Sequence, residues 1–370
     1  ISDIQSLLSF MSDELGWALP QEPPLDEVTF DWTGADLNLS DDISRRLQGG
    51  VVRQLRPFRI GQPWGVFLVD FISKNVSTMT LRQILRRLVP KQRRANPDTP
   101  TWQQENLLFI CTTQNNNFTF VHFRSKRAQP GEKQKQALLT SFSWEPEEPI
   151  RTICEFNLPA LAYEPDWDNE TWLKEWQSAF DVEKVTERFF DDYTKVFSEL
   201  QKVLYRKVSS ESSGAEAKIW AHHYALQFLN RLMFTYFIQK KRWLGDNPRF
   251  IRHFWDAYRS SKQARDTFFK DWLSILFFEA FSNQYQNRSE YLKRFPGDIH
   301  QALAEAPFLN GGLFSQNGLD GQYSFNIPDE FFEVLFEEFE GGPGFFERYN
   351  FTISETTPLD QEVAVDPEMI

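Results

Sequence analysis

The sequence predicts an α+β fold, with a mixed α/β domain over residues 1–160 followed by an all-α helical domain over residues 161–370. Three observations predict it. Before residue 160, short apolar and β-prone runs alternate with turn residues, and one helical stretch lies between them. From about residue 165 the period lengthens to that of amphipathic helices rich in Trp and Phe. A chain of 370 residues also exceeds what one hydrophobic core organises, so the change of texture reads as a change of domain.

The elements follow in order. Ile4, Leu7, Leu8, Met11 and Leu15 fall at helical spacing ahead of a Pro-rich turn at Pro20 to Pro24. The runs Val66 to Phe71, Leu107 to Cys111 and Phe118 to Phe123 are predicted central strands, with further strands at Leu138 to Trp144 and Ile153 to Leu158. Between the first two runs, Leu81, Ile84, Leu85 and Leu88 recur at i, i+3, i+4, i+7 and predict a helix over 80–89 with one apolar face. Arg82 and Arg86 sit one turn apart on another face. With Arg87 and then Lys91, Arg93 and Arg94 past Pro90, six basic groups fall within thirteen residues.

In the second half, Val185, Phe189, Tyr193, Val196, Leu200, Val203 and Leu204 share a face after Asp181 as N-cap. A Ser-Gly hinge at 209–214 precedes a second long helix that ends in Gln239-Lys240-Lys241-Arg242-Trp243, where cations complement the helix C-terminus. Further helices are predicted at about 251–259, 265–282, 299–305 and 328–340.

Charge is segregated along the chain. Residues 1–44 hold ten acids and no Lys or Arg, residues 45–135 hold seventeen Lys and Arg against four acids, and residues 320–370 hold thirteen acids against Arg348 alone. The net charge of −12 therefore hides a strongly basic segment able to release counterions from a polyanion. Acidic flanks folding back to neutralise that segment are the alternative.

No apolar run approaches the ~20 residues of a membrane span, and no basic-then-apolar leader opens the chain, so a cytoplasmic protein with no membrane partner is expected. Cys111 and Cys154 are too few for a disulfide framework and are expected to be buried thiols. Starting at Ile1 and stopping at Ile370 within a sequence pattern, the chain reads as a piece of something longer.

Catalytic motifs are sparse. A restriction-type nuclease needs an acid on one strand and an acid-x-Lys on the next to hold a metal ion and a water. The match is Glu216-Ala217-Lys218, which opens a helix; Asp70 on its strand is followed by Lys74 at the wrong spacing and is expected to be a strand-end or partner-bound carboxylate. His122, His222, His223, His253 and His300 have no metal-ligand spacing, so no metal site and no catalytic residue is assigned. Phosphate loops, dinucleotide fingerprints and nucleophile elbows are absent.

Four phrases in the C-terminal half carry a resemblance. They are Phe180-Asp181-Val182-Glu183-Lys184-Val185-Thr186; Asn230-Arg231-Leu232-Met233-Phe234 with Phe237-Ile238-Gln239-Lys240-Lys241-Arg242-Trp243-Leu244; Pro307-Phe308-Leu309-Asn310-Gly311-Gly312-Leu313-Phe314; and Asn350-Phe351-Thr352-Ile353-Ser354-Glu355 running on to Asp366-Pro367-Glu368-Met369-Ile370. In this order and spacing they resemble the helical region that precedes the catalytic domain of large adenine-specific DNA methyltransferases of restriction-modification and phage-defence systems, especially type IIG enzymes. The resemblance implies a parent enzyme that transfers a methyl group from S-adenosylmethionine to an adenine in DNA. It also implies a helical connector over 161–370 and a downstream methyltransferase core in the same chain as partner.

The family's cofactor loop and its Asn-Pro-Pro-aromatic motif are absent, since Asn96-Pro97-Asp98-Thr99 and Asn247-Pro248-Arg249-Phe250 lack the second proline. No cofactor-binding residue and no methyl transfer are therefore expected of these residues alone. The expected contribution is DNA contact, through Arg82, Arg86, Arg87, Lys91, Arg93 and Arg94 on phosphates. A divergent Mg-dependent nuclease domain and a non-catalytic protein-interaction scaffold remain as alternatives.

Overall fold

A computed structural model describes residues 3–20, 24–92, 102, 106–114, 117–126, 136–145, 151–210, 213–309, 311–351 and 360–364. It separates into two compact units. The first carries a β-sheet with its flanking helices as far as residue 183, and recovers a short strand at 360–362; the second carries the helices from residue 184 onward.

The first unit opens with α1 (Ile4–Leu15), where Asp3 and Ser6 form a capping box and Leu7, Leu8, Met11 and Leu15 are buried. Gly16 ends the helix at φ +68°, and a Cβ there would lie 2.8 Å from the Tyr163 carbonyl oxygen, so only glycine fits. Seven strands form one sheet in the order β1 (Thr29–Thr33), β2 (Val51–Leu55), β3 (Trp64–Asp70), β4 (Asn106–Thr112), β5 (Phe118–Lys126), β6 (Gln136–Trp144) and β7 (Asp360–Glu362). Strands β1, β2 and β3 are an antiparallel meander, β3 and β4 are parallel, and β4, β5 and β6 are antiparallel. The parallel pair is joined by a crossover through α2 (Thr78–Gln92), as parallel pairing requires.

Both faces of the central strands are covered, which is why their sequences read as continuous apolar runs. On one face Phe67, Val69, Phe109, Cys111, Val121, Phe123 and Leu139 pack with Leu81, Ile84, Leu85 and Leu88 of α2. Each of those helix residues is at most 3% exposed, and each contributes about 1.5–3 kcal/mol by leaving water. On the other face Trp64 and His122 lie 5.5 and 5.2 Å, ring to ring, from Trp176 and Phe180. Trp176 belongs to α3 (Asn169–Ser178), which starts on an Asp168 cap.

The expected strand at Ile153 to Leu158 is corrected to a π turn, Ile153–Asn157, leading into a helical turn, Leu158–Ala160. Its buried positions Ile153, Asn157, Leu158 and Leu161 recur at helical spacing, and Asn157 Nδ2 donates to the Ala179 carbonyl at 2.6 Å. Cys154 on the same turn is exposed, against the expected buried thiol, whereas Cys111 is buried on β4. The predicted helix over 80–89 extends to Gln92.

In the second unit, α4 (Val182–Val208) buries Val185, Phe189, Val196, Leu200 and Leu204 along one side. Helix α5 (Gly214–Lys240) begins at a Ser213 cap and buries residues on nearly all sides. Helices α6 (Phe250–Ser260), α7 (Gly297–Ala304) and α8 (Asp329–Phe336) follow. Helix α8 is shorter than the predicted 328–340. Glu340 and Gly341, at φ 47° and 71°, turn the chain into a tight hairpin that pairs Phe339 with Gly342. Two π turns, Phe269–Leu273 and Leu276–Ala280, occupy the predicted helix at 265–282.

Candidate nucleic-acid interface and strand-end cluster

Helix α2 begins where the Ser77 hydroxyl accepts from the Thr80 amide at 3.2 Å. Because its apolar face is fixed on the sheet, its remaining positions point away from the core. Arg86 and Arg87 are exposed and Arg82 is half-buried, so three of the six predicted phosphate contacts share one helix. Lys91 continues the same helix, though its side chain lies outside the described residues, as do Arg93 and Arg94 entirely.

A second cluster lies at the carboxyl ends of the parallel strands, the place where open α/β sheets bind ligands. Asp70 is the last residue of β3 and stands in register with Thr112, the last of β4. The Thr112 hydroxyl donates to Asp70 Oδ1. Arg53 of β2, in register with Asp31 of β1, donates from Nη1 to Asp70 Oδ2 at 2.7 Å, and its Nε lies 3.8 Å from Asp31 Oδ1. A guanidinium thus sits between two carboxylates. Where an acid-x-Lys pattern would place its lysine, two residues past Asp70, stands Ile72, 40% exposed. Among the described residues no three His, Cys, Asp or Glu side chains converge as a metal site. Asp70 is the partner-bound strand-end carboxylate that the sequence led one to expect; Arg53 was not singled out, because its partners come from strands 22 and 17 residues away. The informative signal was a lone cation in the otherwise uncharged run Val51 to Leu55.

The titratable groups nearby are structural. Burial, helped by Arg124, pushes the His122 imidazole down to about 3, and its Nε2 lies 3.3 Å from Asn106 Oδ1. Burial, and then the Asp70 charge, push the Cys111 thiol far up, which leaves it unreactive. His253 pairs with Asp298 at 2.6 Å and His300 Nδ1 lies 2.7 Å from the Tyr285 hydroxyl. Glu216-Ala217-Lys218 occupies the first turns of α5, not a strand. Among the described residues no helix is long and apolar enough to cross a membrane.

The chain is similar to a protein of Methanocaldococcus jannaschii named "Putative type II restriction enzyme and methyltransferase", with 26% identity over 207 residues, covering 51% of this chain and 16% of that protein. It thus spans about a sixth of the relative's length, and the similarity supports a restriction-modification relationship. No family model matches the chain. No solved structure matches it.

Proposed function

We propose, proceeding from this restriction-modification relationship, that the chain is the front part of a type IIG-like, adenine-specific DNA methyltransferase of a restriction-modification or phage-defence system. Residues 1–160 contact DNA, and residues 161–370 are the connector to a methyltransferase core in the same polypeptide. S-adenosylmethionine is the parent enzyme's methyl donor and belongs to that core, since this chain has neither the cofactor loop nor the Asn-Pro-Pro-aromatic motif.

One observation carries the DNA-binding reading: Arg86 and Arg87 are held outward on a helix whose opposite face is locked into the sheet. Cations on a fixed scaffold lose little freedom when they meet phosphate, and they position the protein without reading sequence. The test is DNA binding across salt concentrations. Arg86→Ala with Arg87→Ala should weaken binding about equally for all sequences and lower the slope of log affinity against log salt by about 2. Unchanged affinity at low salt would overturn the reading.

The placing of Asp31 on β1 and Asp70 at the end of β3 on either side of Arg53 favours a second reading, a divergent Mg-dependent nuclease. Arg53 speaks against cutting, because its guanidinium takes the place between the carboxylates that a divalent ion would need. If the nuclease reading is correct, DNA is cleaved with Mg²⁺ or Mn²⁺ and Asp70→Ala abolishes it.

A further inference from the structure

The twelve tryptophans of this chain divide sharply by environment. Ten are at most 5% exposed and Trp167 is half-buried, whereas Trp243 is 50% exposed. Its position follows from how α5 ends. The Trp243 amide reaches back to the Ile238 carbonyl at 3.3 Å and the Arg242 amide to the Gln239 carbonyl at 2.8 Å, closing a Schellman-type turn. The left-handed residue that such a turn requires is Arg242, at φ 60°, where glycine usually stands; Gly245 and Asp246 follow at φ 64° and 53°. Non-glycine residues in this region are strained, and such strain concentrates at functional positions. Leu244 is fully buried, and a Cβ at Gly245 would lie 3.0 Å from the Ala302 Cβ, so the turn is pinned on either side of an outward-facing indole.

The surroundings of that ring are charged and polar, with cations and carboxylates interleaved. The Lys241 ammonium lies 5.7 Å from its centroid. Just beyond the turn, Arg249, Arg252, Asn247, His253 and Asp256 line a cleft of about 460 Å³. Asp246 and Asp256 each bond an arginine four residues away, and Glu347 pairs with Arg249 at 3.0 Å. Asp298, 2.6 Å from His253, is a fourth carboxylate, and against the four stand Lys240, Lys241, Arg242, Arg249 and Arg252.

We infer that this turn binds a single-stranded segment of nucleic acid, with one base stacked on Trp243 and the flanking phosphates held by Lys241, Arg242 and the arginines of the cleft. An aromatic plane amid cations is how proteins hold unpaired strands, because every base has a π-face and every nucleotide a phosphate. A protein-docking aromatic would instead sit within an apolar patch. The inference shares the DNA-binding premise of the proposed function but assigns a separate contact in the second unit.

The test is binding of a short labelled oligothymidylate to the full chain at low salt, read by fluorescence anisotropy. Trp243→Ala should weaken binding about tenfold, within the range for loss of one stacked base. Lys241→Glu, which leaves the ring in place, should weaken it and flatten its salt dependence. Unfolding midpoints like that of the parent chain confirm that both variants are folded. Failure of the parent chain to bind, or parental affinity in both variants, would overturn the inference. The Arg86→Ala, Arg87→Ala chain separates the two contacts: if it loses duplex binding while Trp243→Ala binds the oligonucleotide normally, the α2 reading stands and this one falls; the reverse pattern spares this one.

Discussion

Arg231, fully buried, and Asp320, whose side chain is 6% exposed, are 89 residues apart in the chain and meet through two side-by-side bonds of 2.6 and 2.9 Å. The same guanidinium donates to the Leu313 carbonyl at 2.6 Å and lies 4.8 Å over the Phe278 ring. Arg231 therefore ties α5 to the loop that follows Gly311-Gly312. Removing one partner of such a pair leaves a buried charge unanswered, which costs more than the pair itself contributes. Asp320→Ala should destabilise the chain by about 3–5 kcal/mol, and Arg231→Met combined with Asp320→Leu by less, in urea unfolding. Equal losses would mean that the pairing adds nothing beyond packing.

The strand-end cluster makes a milder prediction, because Arg53 and Asp70 are about a quarter and a fifth exposed. Asp70→Ala should cost about 1–3 kcal/mol by depriving both Arg53 and the Thr112 hydroxyl of their acceptor. Asp31→Ala, 3.8 Å from Arg53 and half exposed, should cost under about 1 kcal/mol. Chemical denaturation of the two variants checks the ranking.

His122 predicts an acid-side weakening. Its folded form stays neutral down to about pH 3, while the unfolded imidazole takes up a proton near 6.5. The unfolded state therefore binds more protons between these values, and stability falls with pH by up to about 1.4 kcal/mol per unit from this residue. Its contribution is complete above pH 6.5. The difference in stability between the parent chain and His122→Gln, followed from pH 7 to 4, should show this slope; a constant difference would refute it.

Gly16→Ala should cost about 1–3 kcal/mol, since it combines a left-handed backbone with a Cβ 2.8 Å from a carbonyl oxygen. Thermal unfolding of the single variant decides this.

How much of this was legible beforehand depended on where each residue's partners lie. The apolar face of α2 was readable because its signal is local: Leu81, Ile84, Leu85 and Leu88 carry it within eight residues. Strands β3, β4 and β5 were readable because burial on both faces leaves long apolar runs. Strands β1 and β2 went unseen, being five residues each with polar positions between buried ones. Ile153 to Leu158 misled because a short apolar run has no period long enough to separate a strand from a helical turn. In the candidate site, the helix arginines were visible as a cluster in sequence, whereas the Arg53–Asp70 pair exists only through strand register. The exposure of Trp243 depends on the left-handed Arg242, which no hydropathy pattern encodes.

Strand β7 bears on how the protein is made. It pairs with β6 at Leu139, Thr140 and Ser141, and the Ser143 hydroxyl meets the Glu362 carboxylate 219 residues further along. A ribosome adding about 5–20 residues per second reaches Glu362 roughly 10–40 s after it has finished β6. Through that interval the outer edge of β6 is a bare row of amide and carbonyl groups, open to any passing strand. The nascent protein therefore has a window of vulnerability to mispairing, closed only when β7 arrives.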